Sequence, residues 1–162
     1  VEVLSQAPPL QITLTFDVDY LAVSRLDWER LRKILAPTLM VDYSIVGHEC
    51  FPDMDSEAFI SLTSAPEFLG DPLVRTQHLI GAVKYESVSD SEIIATHQIR
   101  AAHQRYKDSD LTTVEYKGHG HSIVKHWYKK FNGVWKLAGV RPEIYWNEFD
   151  FEKIFPLLSA AH

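Results

Sequence analysis

The chain has 162 residues, enough for one domain with a single sizeable core, and its 46% hydrophobic and 23% charged residues are the balance of a folded soluble protein. A formal charge of −6 supplies no basic stripe, so nucleic acid is not an expected partner, and the single cysteine, Cys50, excludes an intramolecular disulfide framework or a thiolate metal cluster. No apolar run approaches the roughly 18 residues of a membrane span and no basic-then-apolar leader opens the chain, so no membrane is expected and the location is expected to be cytoplasmic, endosomal or vesicle-associated sites included.

In chain order, a first stretch with Pro8 and Pro9 precedes a helical segment expected from about Thr13 to Leu35, broken near Ser24 to Asp27. Its second part has Asp27 as N-cap, with Trp28, Leu31 and Leu35 on one face, and Pro37 is expected to end it. Thr38 to Ile45 reads as a strand. A loop with Gly47 and Pro52 then leads to a helix near Ser56 to Ser64, with Asp55 or Ser56 as cap and Phe59, Ile60 and Leu62 for the core. From there the chain turns to strands: about Val74 to Ser87, Glu92 to Tyr106 after the turn Ser89-Asp90, and Thr112 to Phe131. Asn132-Gly133 is a two-residue hairpin signal before a last strand, Val134 to Arg141, expected to stop at Pro142. A terminal helix is expected over Asp150 to Leu158. Helices followed by long antiparallel strands mean α+β: one domain over residues 1–162, a curved sheet with helices on its concave face and a pocket inside. The aromatic content, 4 Trp, 7 Tyr and 8 Phe, suits both a β-rich core and the lining of a cavity for a flat ligand.

The chemistry-bearing residues are histidines, 8 in all. His78 sits mid-strand, and His97 and His103 share one face of the next strand by parity. A third strand carries His119, His121 and His126. Two imidazoles on neighbouring strands, with apolar or small residues at the alternate positions between them, suit proton transfer in a dry pocket. Gly118-His119-Gly120-His121 contains a His-x-His pair, but no third ligand stands at a recognisable spacing, so no metal is expected. No nucleophile elbow or phosphate-cradling glycine loop occurs, and no cofactor is expected.

A series of motifs then carries a family resemblance. Asp27-Trp28-Glu29-Arg30-Leu31-Arg32-Lys33, Val41-Asp42-Tyr43, Leu69-Gly70-Asp71-Pro72, Arg75-Thr76-Gln77-His78, His103-Gln104-Arg105-Tyr106, Lys117-Gly118-His119-Gly120-His121-Ser122 and Asn132-Gly133-Val134-Trp135-Lys136 resemble scytalone dehydratases in order and spacing, from about Asp27 to Phe155. The resemblance implies an α+β cone of the nuclear-transport-factor-2-like type, a homotrimer without metal or organic cofactor, and dehydration of hydroxylated tetralones in fungal dihydroxynaphthalene melanin synthesis. It implies His78 as the proton-abstracting histidine and His103 as the second active-site histidine. Tyr43 would polarise the substrate carbonyl through a water and Ser122 would orient substrate. Val46, Leu62, Phe68, Leu69, Phe151 and Phe155 would form the apolar lining, with the C-terminal segment as a lid.

Three positions depart from the family pattern. Its Tyr-Asp pair on the first helix falls at Val23 and Ser24, and its substrate-touching asparagine falls at Val124. Asp19 and Tyr20, one helical turn earlier, are candidates to stand in for the missing pair. Three functions therefore stay open. One is a dehydratase on a polyketide-derived substrate. The second is a cyclase, isomerase or pericyclase (Diels-Alderase-like, for example) shaping such a substrate by placement. The third is a non-catalytic binder, against which the retained His78, His103, Tyr43 and Ser122 argue.

Overall fold

The computed structural model describes residues 27–46 and 49–155. The helical segment expected from Thr13, with Asp19, Tyr20, Val23 and Ser24, lies outside the described residues, as do Gly47 and residues 156–162. The elements are α1 (Trp28–Ile34), β1 (Leu35–Asp42), a 3-10 turn (Ser44–Val46), β2 (Cys50–Asp55), α2 (Ser56–Thr63), β3 (Val74–Ser89), β4 (Glu92–Tyr106), β5 (Val114–Phe131), β6 (Val134–Phe149) and α3 (Phe151–Ile154). They build one mixed sheet in the order β2-β1-β6-β5-β4-β3, antiparallel throughout except for the β1–β6 pair.

Asp27 caps α1 by accepting from the Arg30 N–H, and Asp55 caps α2 by accepting from Glu57 and Ala58. α1 is one residue shorter than expected, because Leu35 already enters β1, and Pro37 is accommodated inside that strand. The segment around Pro52, expected as loop, is the edge strand β2, where a proline costs no ladder bond on its open side. β6 likewise runs through Pro142 to Phe149 instead of stopping at Arg141. The β1 ladder on that side ends at Val140, so Pro142 lies where β6 has become an edge. Asn132 and Gly133 have φ of 49° and 81°, the doubly positive pattern of a primed hairpin turn.

The long strands curve through register shifts at Ile80/Val83 in β3 and at His121/Ser122 and Trp127/Tyr128 between β5 and β6. α1 and α2 pack on the inner face. Leu31, Phe59 and Ile60 meet Leu39, Val41, Ile99, Tyr128 and Leu137 there, with Leu31 and Tyr128 fully buried. Shortening a side chain such as Leu31 to alanine costs about 2–5 kcal/mol at a site of this kind. Leu62 is not part of this core: it is 53% exposed, on the side of α2 away from Phe59, Ile60 and Thr63. A second cluster of Leu69, Val74, Ile154 and Phe155, with Phe68 and Trp28 against it, closes one end of the inner face.

Candidate active site

β3 and β4 pair so that Thr76 faces His103 and His78 faces Ala101, which sets the two histidines on adjacent inward positions. Their ring centroids are 6.0 Å apart and the planes nearly perpendicular, at 84°. Across the sheet from His78, the register runs to Ala101 and then to Gly120. The row beside His78 therefore has almost no side chains, and the floor next to its ring is backbone and one methyl group.

α3 closes this end from above. Phe151 and Phe155 place their rings edge-on to His103, with centroids at 5.5 Å and 5.2 Å, and Phe68 packs on Phe155 at 5.2 Å. The helix can come so close because β5 carries glycine below it. A Cβ on Gly120 would lie 3.1 Å from the Phe151 ring, and one on Gly118 would collide with its backbone. Half-buried Arg105 holds the same helix: its Nε donates to Ile154 O at 2.8 Å and its Nη2 to Asp71 Oδ2 at 2.5 Å.

Burial sets the protonation of the pair. It pushes the His78 pKa down to about 4, and it pushes His103 down to about 3, with the nearby His78 and His119 adding repulsion. Both are neutral near pH 7, and a neutral imidazole can accept a proton. Among the described residues, His103 Nδ1 is buried with no hydrogen-bond partner. Deeper on the same face His97 and His126 form a second pair, with ring centroids at 5.2 Å, both pushed down by burial. Parity placed His97 beside His103, but nothing in the spacing announced its neighbour His126.

Of the other expected site residues, Ser122 faces Ile99 and is half-buried, two strands over and one inward position along from His78. Val124 is buried opposite His97. Tyr43 is half-buried against the main core cluster, its N–H donating to Glu49 O at 3.2 Å. Val46 ends the 3-10 turn. The structure thus groups His78, His103, Phe68, Leu69, Phe151 and Phe155, whereas exposed Leu62 stands apart. On the opposite, outer face His119, His121 and Glu148 bring three metal-ligating side chains together. Glu148 is the third group that sequence spacing hides, since only the register opposite His119 reveals it.

A family model described as scytalone dehydratase matches residues 13–160. The chain belongs to the scytalone dehydratase family. It is 54% identical over 137 residues to the scytalone dehydratase-like protein Arp1 of Metarhizium guizhouense, covering 85% of this chain and 80% of that one. It is 51% identical over 129 residues to the scytalone dehydratase of Pyricularia oryzae, covering 80% and 75%. The crystal structure of hexachlorocyclohexane dehydrochlorinase LinA-type3 from Novosphingobium barchaimii superposes with a TM-score of 0.67 at 12% identity, covering 86% of this chain and 87% of that one. The fold of this chain is therefore the α+β cone, of nuclear-transport-factor-2-like type, that the motifs implied.

Proposed function

We propose that the chain is a lyase that eliminates water from a hydroxylated, polyketide-derived aromatic or tetralone substrate, using its own side chains. The observation that carries this reading is the neutral His78–His103 pair, its rings 6.0 Å apart, with only Ala101 and Gly120 across the strands from His78 and with Phe151 and Phe155 against His103. In the reaction the His78 ring nitrogen takes the proton alpha to the substrate carbonyl. The C–H electron pair moves into the enolate, which Tyr43 stabilises through a water. The enolate then re-forms the carbonyl as the new C=C bond expels the hydroxyl group, and a proton delivered from the side of His103 and Ser122 turns the leaving oxygen into water.

A second reading, in which the same cone cyclises or isomerises a polyketide, is favoured by two observations. Buried Val124 stands where the family pattern has an asparagine, and His103 has no carboxylate partner among the described residues. A pocket of that kind acts by placement rather than proton transfer. As for assembly, we propose a homotrimer on the family resemblance.

Mass spectrometry of the products from hydroxytetralones and candidate polyketides, with wild-type and His78→Ala protein, tests the function. Loss of 18 mass units by wild type and at least a ~10²-fold slower reaction by the variant, with ligand binding kept, is the expected result. An isomeric product formed at near-normal rate by His78→Ala would overturn elimination and establish the placement reading. Failure of every candidate to bind or react would leave a binding protein.

A further inference from the structure

We propose that His119, His121 and Glu148 form a site for one divalent transition-metal ion on the outer face of the sheet, separate from the His78–His103 pair. His119 and His121 alternate with the inward glycines of β5, so both rings emerge on the outer face, and the register sets Glu148 of β6 directly opposite His119. Glu148 Oε2 lies 3.4 Å from His119 Nδ1 and 3.2 Å from His121 Nε2, and the three ligand atoms all fall within 4.8 Å of one another. A tetrahedral ion with bonds of about 2.0–2.1 Å needs its ligand atoms about 3.3–3.4 Å apart. Of the two edges to Glu148, one has that length and the other is slightly shorter.

The rings are also held. His121 stacks on Trp146 with centroids 4.5 Å apart and planes 13° off parallel, and His119 meets the Phe149 ring edge-on at 5.4 Å. His121 Nε2 is buried from solvent without a well-formed hydrogen bond, and it is aimed at the carboxylate. Two imidazoles and one carboxylate select zinc, nickel, copper or cobalt over magnesium and calcium, which take all-oxygen sets. The ion would tie β5 to β6 one residue before the positive-φ turn at Phe149, where the chain bends into the helix that covers His103.

One residue opposes binding. Arg100 Nη2 lies 2.6 Å from His119 Nδ1, so its guanidinium holds the lone pair that a metal would use. Arg100 is exposed and can swing away, but it must do so first. Removing it should therefore strengthen binding, because it frees the His119 lone pair and takes away a neighbouring positive charge.

Chelator-treated full-length protein titrated with Zn²⁺ by calorimetry, and with Ni²⁺ by quenching of Trp146 fluorescence, decides the matter. Binding of one ion per chain with Kd of about 10 μM or tighter is expected. His121→Ala and Glu148→Gln should each weaken it ~10–100-fold, Arg100→Ala should tighten it ~3–10-fold, and millimolar Mg²⁺ should not compete. The Ni²⁺ quench should disappear in Trp146→Phe while the Zn²⁺ isotherm persists. No binding below about 1 mM, or binding indifferent to His121→Ala and Glu148→Gln, would overturn the site. So would weaker binding by Arg100→Ala, a surface variant whose folding circular dichroism can verify independently.

Discussion

Gly118 and Phe151 approach so closely that a Cβ on the glycine would lie 2.3 Å from Phe151 Cα and 2.5 Å from its backbone nitrogen. β5 gives up a side chain at Gly118 so that α3 can begin directly above it, and α3 in turn sets Phe151 and Phe155 on His103. Gly118→Ala should therefore push the helix off the sheet. A cost of about 1–3 kcal/mol is expected in urea unfolding, with a fall in kcat/KM as the cover over His103 loosens. Gly120→Ala should be milder, because its nearest atom is 3.1 Å away at the edge of a ring that can tilt. Equal stability of Gly118→Ala and wild type would contradict this account.

Which parts of this were legible beforehand follows from the range of the signals. β4 begins and ends where alternation and turn residues place it, and α1 and α2 carry the Asp27 and Asp55 caps read from the chain. Those signals are local. Pro37, Pro52 and Pro142 misled because a proline's effect on a strand depends on which side is paired, a tertiary fact. The apolarity of Leu62 predicts a core position, but α2 turns it outward. His78 and His103 stood out through strand parity and the family motifs. The contacts that organise them, Arg105 to Asp71 across 34 residues and Gly118 beneath Phe151, arise from cross-strand register, which no single motif encodes.

The buried histidines make stability depend on pH with a definite sign. Unfolded histidine titrates near 6.5, whereas burial holds His78 and His97 at about 4 and His103 at about 3 in the folded chain. As pH falls through 6.5 the unfolded chain takes up protons first. The stabilisation is therefore complete above about 6.5 and is lost progressively down to the folded values, with a slope of up to about 1.4 kcal/mol per pH unit for each histidine. Urea unfolding at pH 7 and pH 5 should show the loss, and His97→Gln should flatten it. A midpoint that does not move between those two pH values would contradict the burial of these rings.

Arg105 makes a test of the clasp over His103. Its bonds to Asp71 and to Ile154 O join the loop before β3 to α3, and both charged side chains are largely shielded from water, at 16% and 13% exposure. Arg105→Met and Asp71→Asn should each cost about 2 kcal/mol by leaving the other partner unmatched, and the double variant should cost much less than the sum. Limited proteolysis should cut the C-terminal segment faster in either single variant. Strictly additive costs would show that the pair is not coupled.

His103 supplies the last prediction. Its buried Nδ1 has no partner among the described residues, and its pKa, held down to about 3 by burial, makes the protonated form scarce near neutral pH and so slows proton delivery to the leaving hydroxyl. The family resemblance implies a tyrosine and an aspartate where this chain has Val23 and Ser24, and a carboxylate hydrogen-bonded to the imidazole favours its charged form. On the elimination reading, Val23→Tyr/Ser24→Asp should raise the rate of tetralone dehydration by ~10²-fold or more. It should also carry the fall in rate at the alkaline side of the pH profile to higher pH, because a raised His103 pKa keeps its proton longer. A rate and profile identical to wild type would mean that Asp19 and Tyr20 already fill those roles, or that the reaction does not pass a proton through His103.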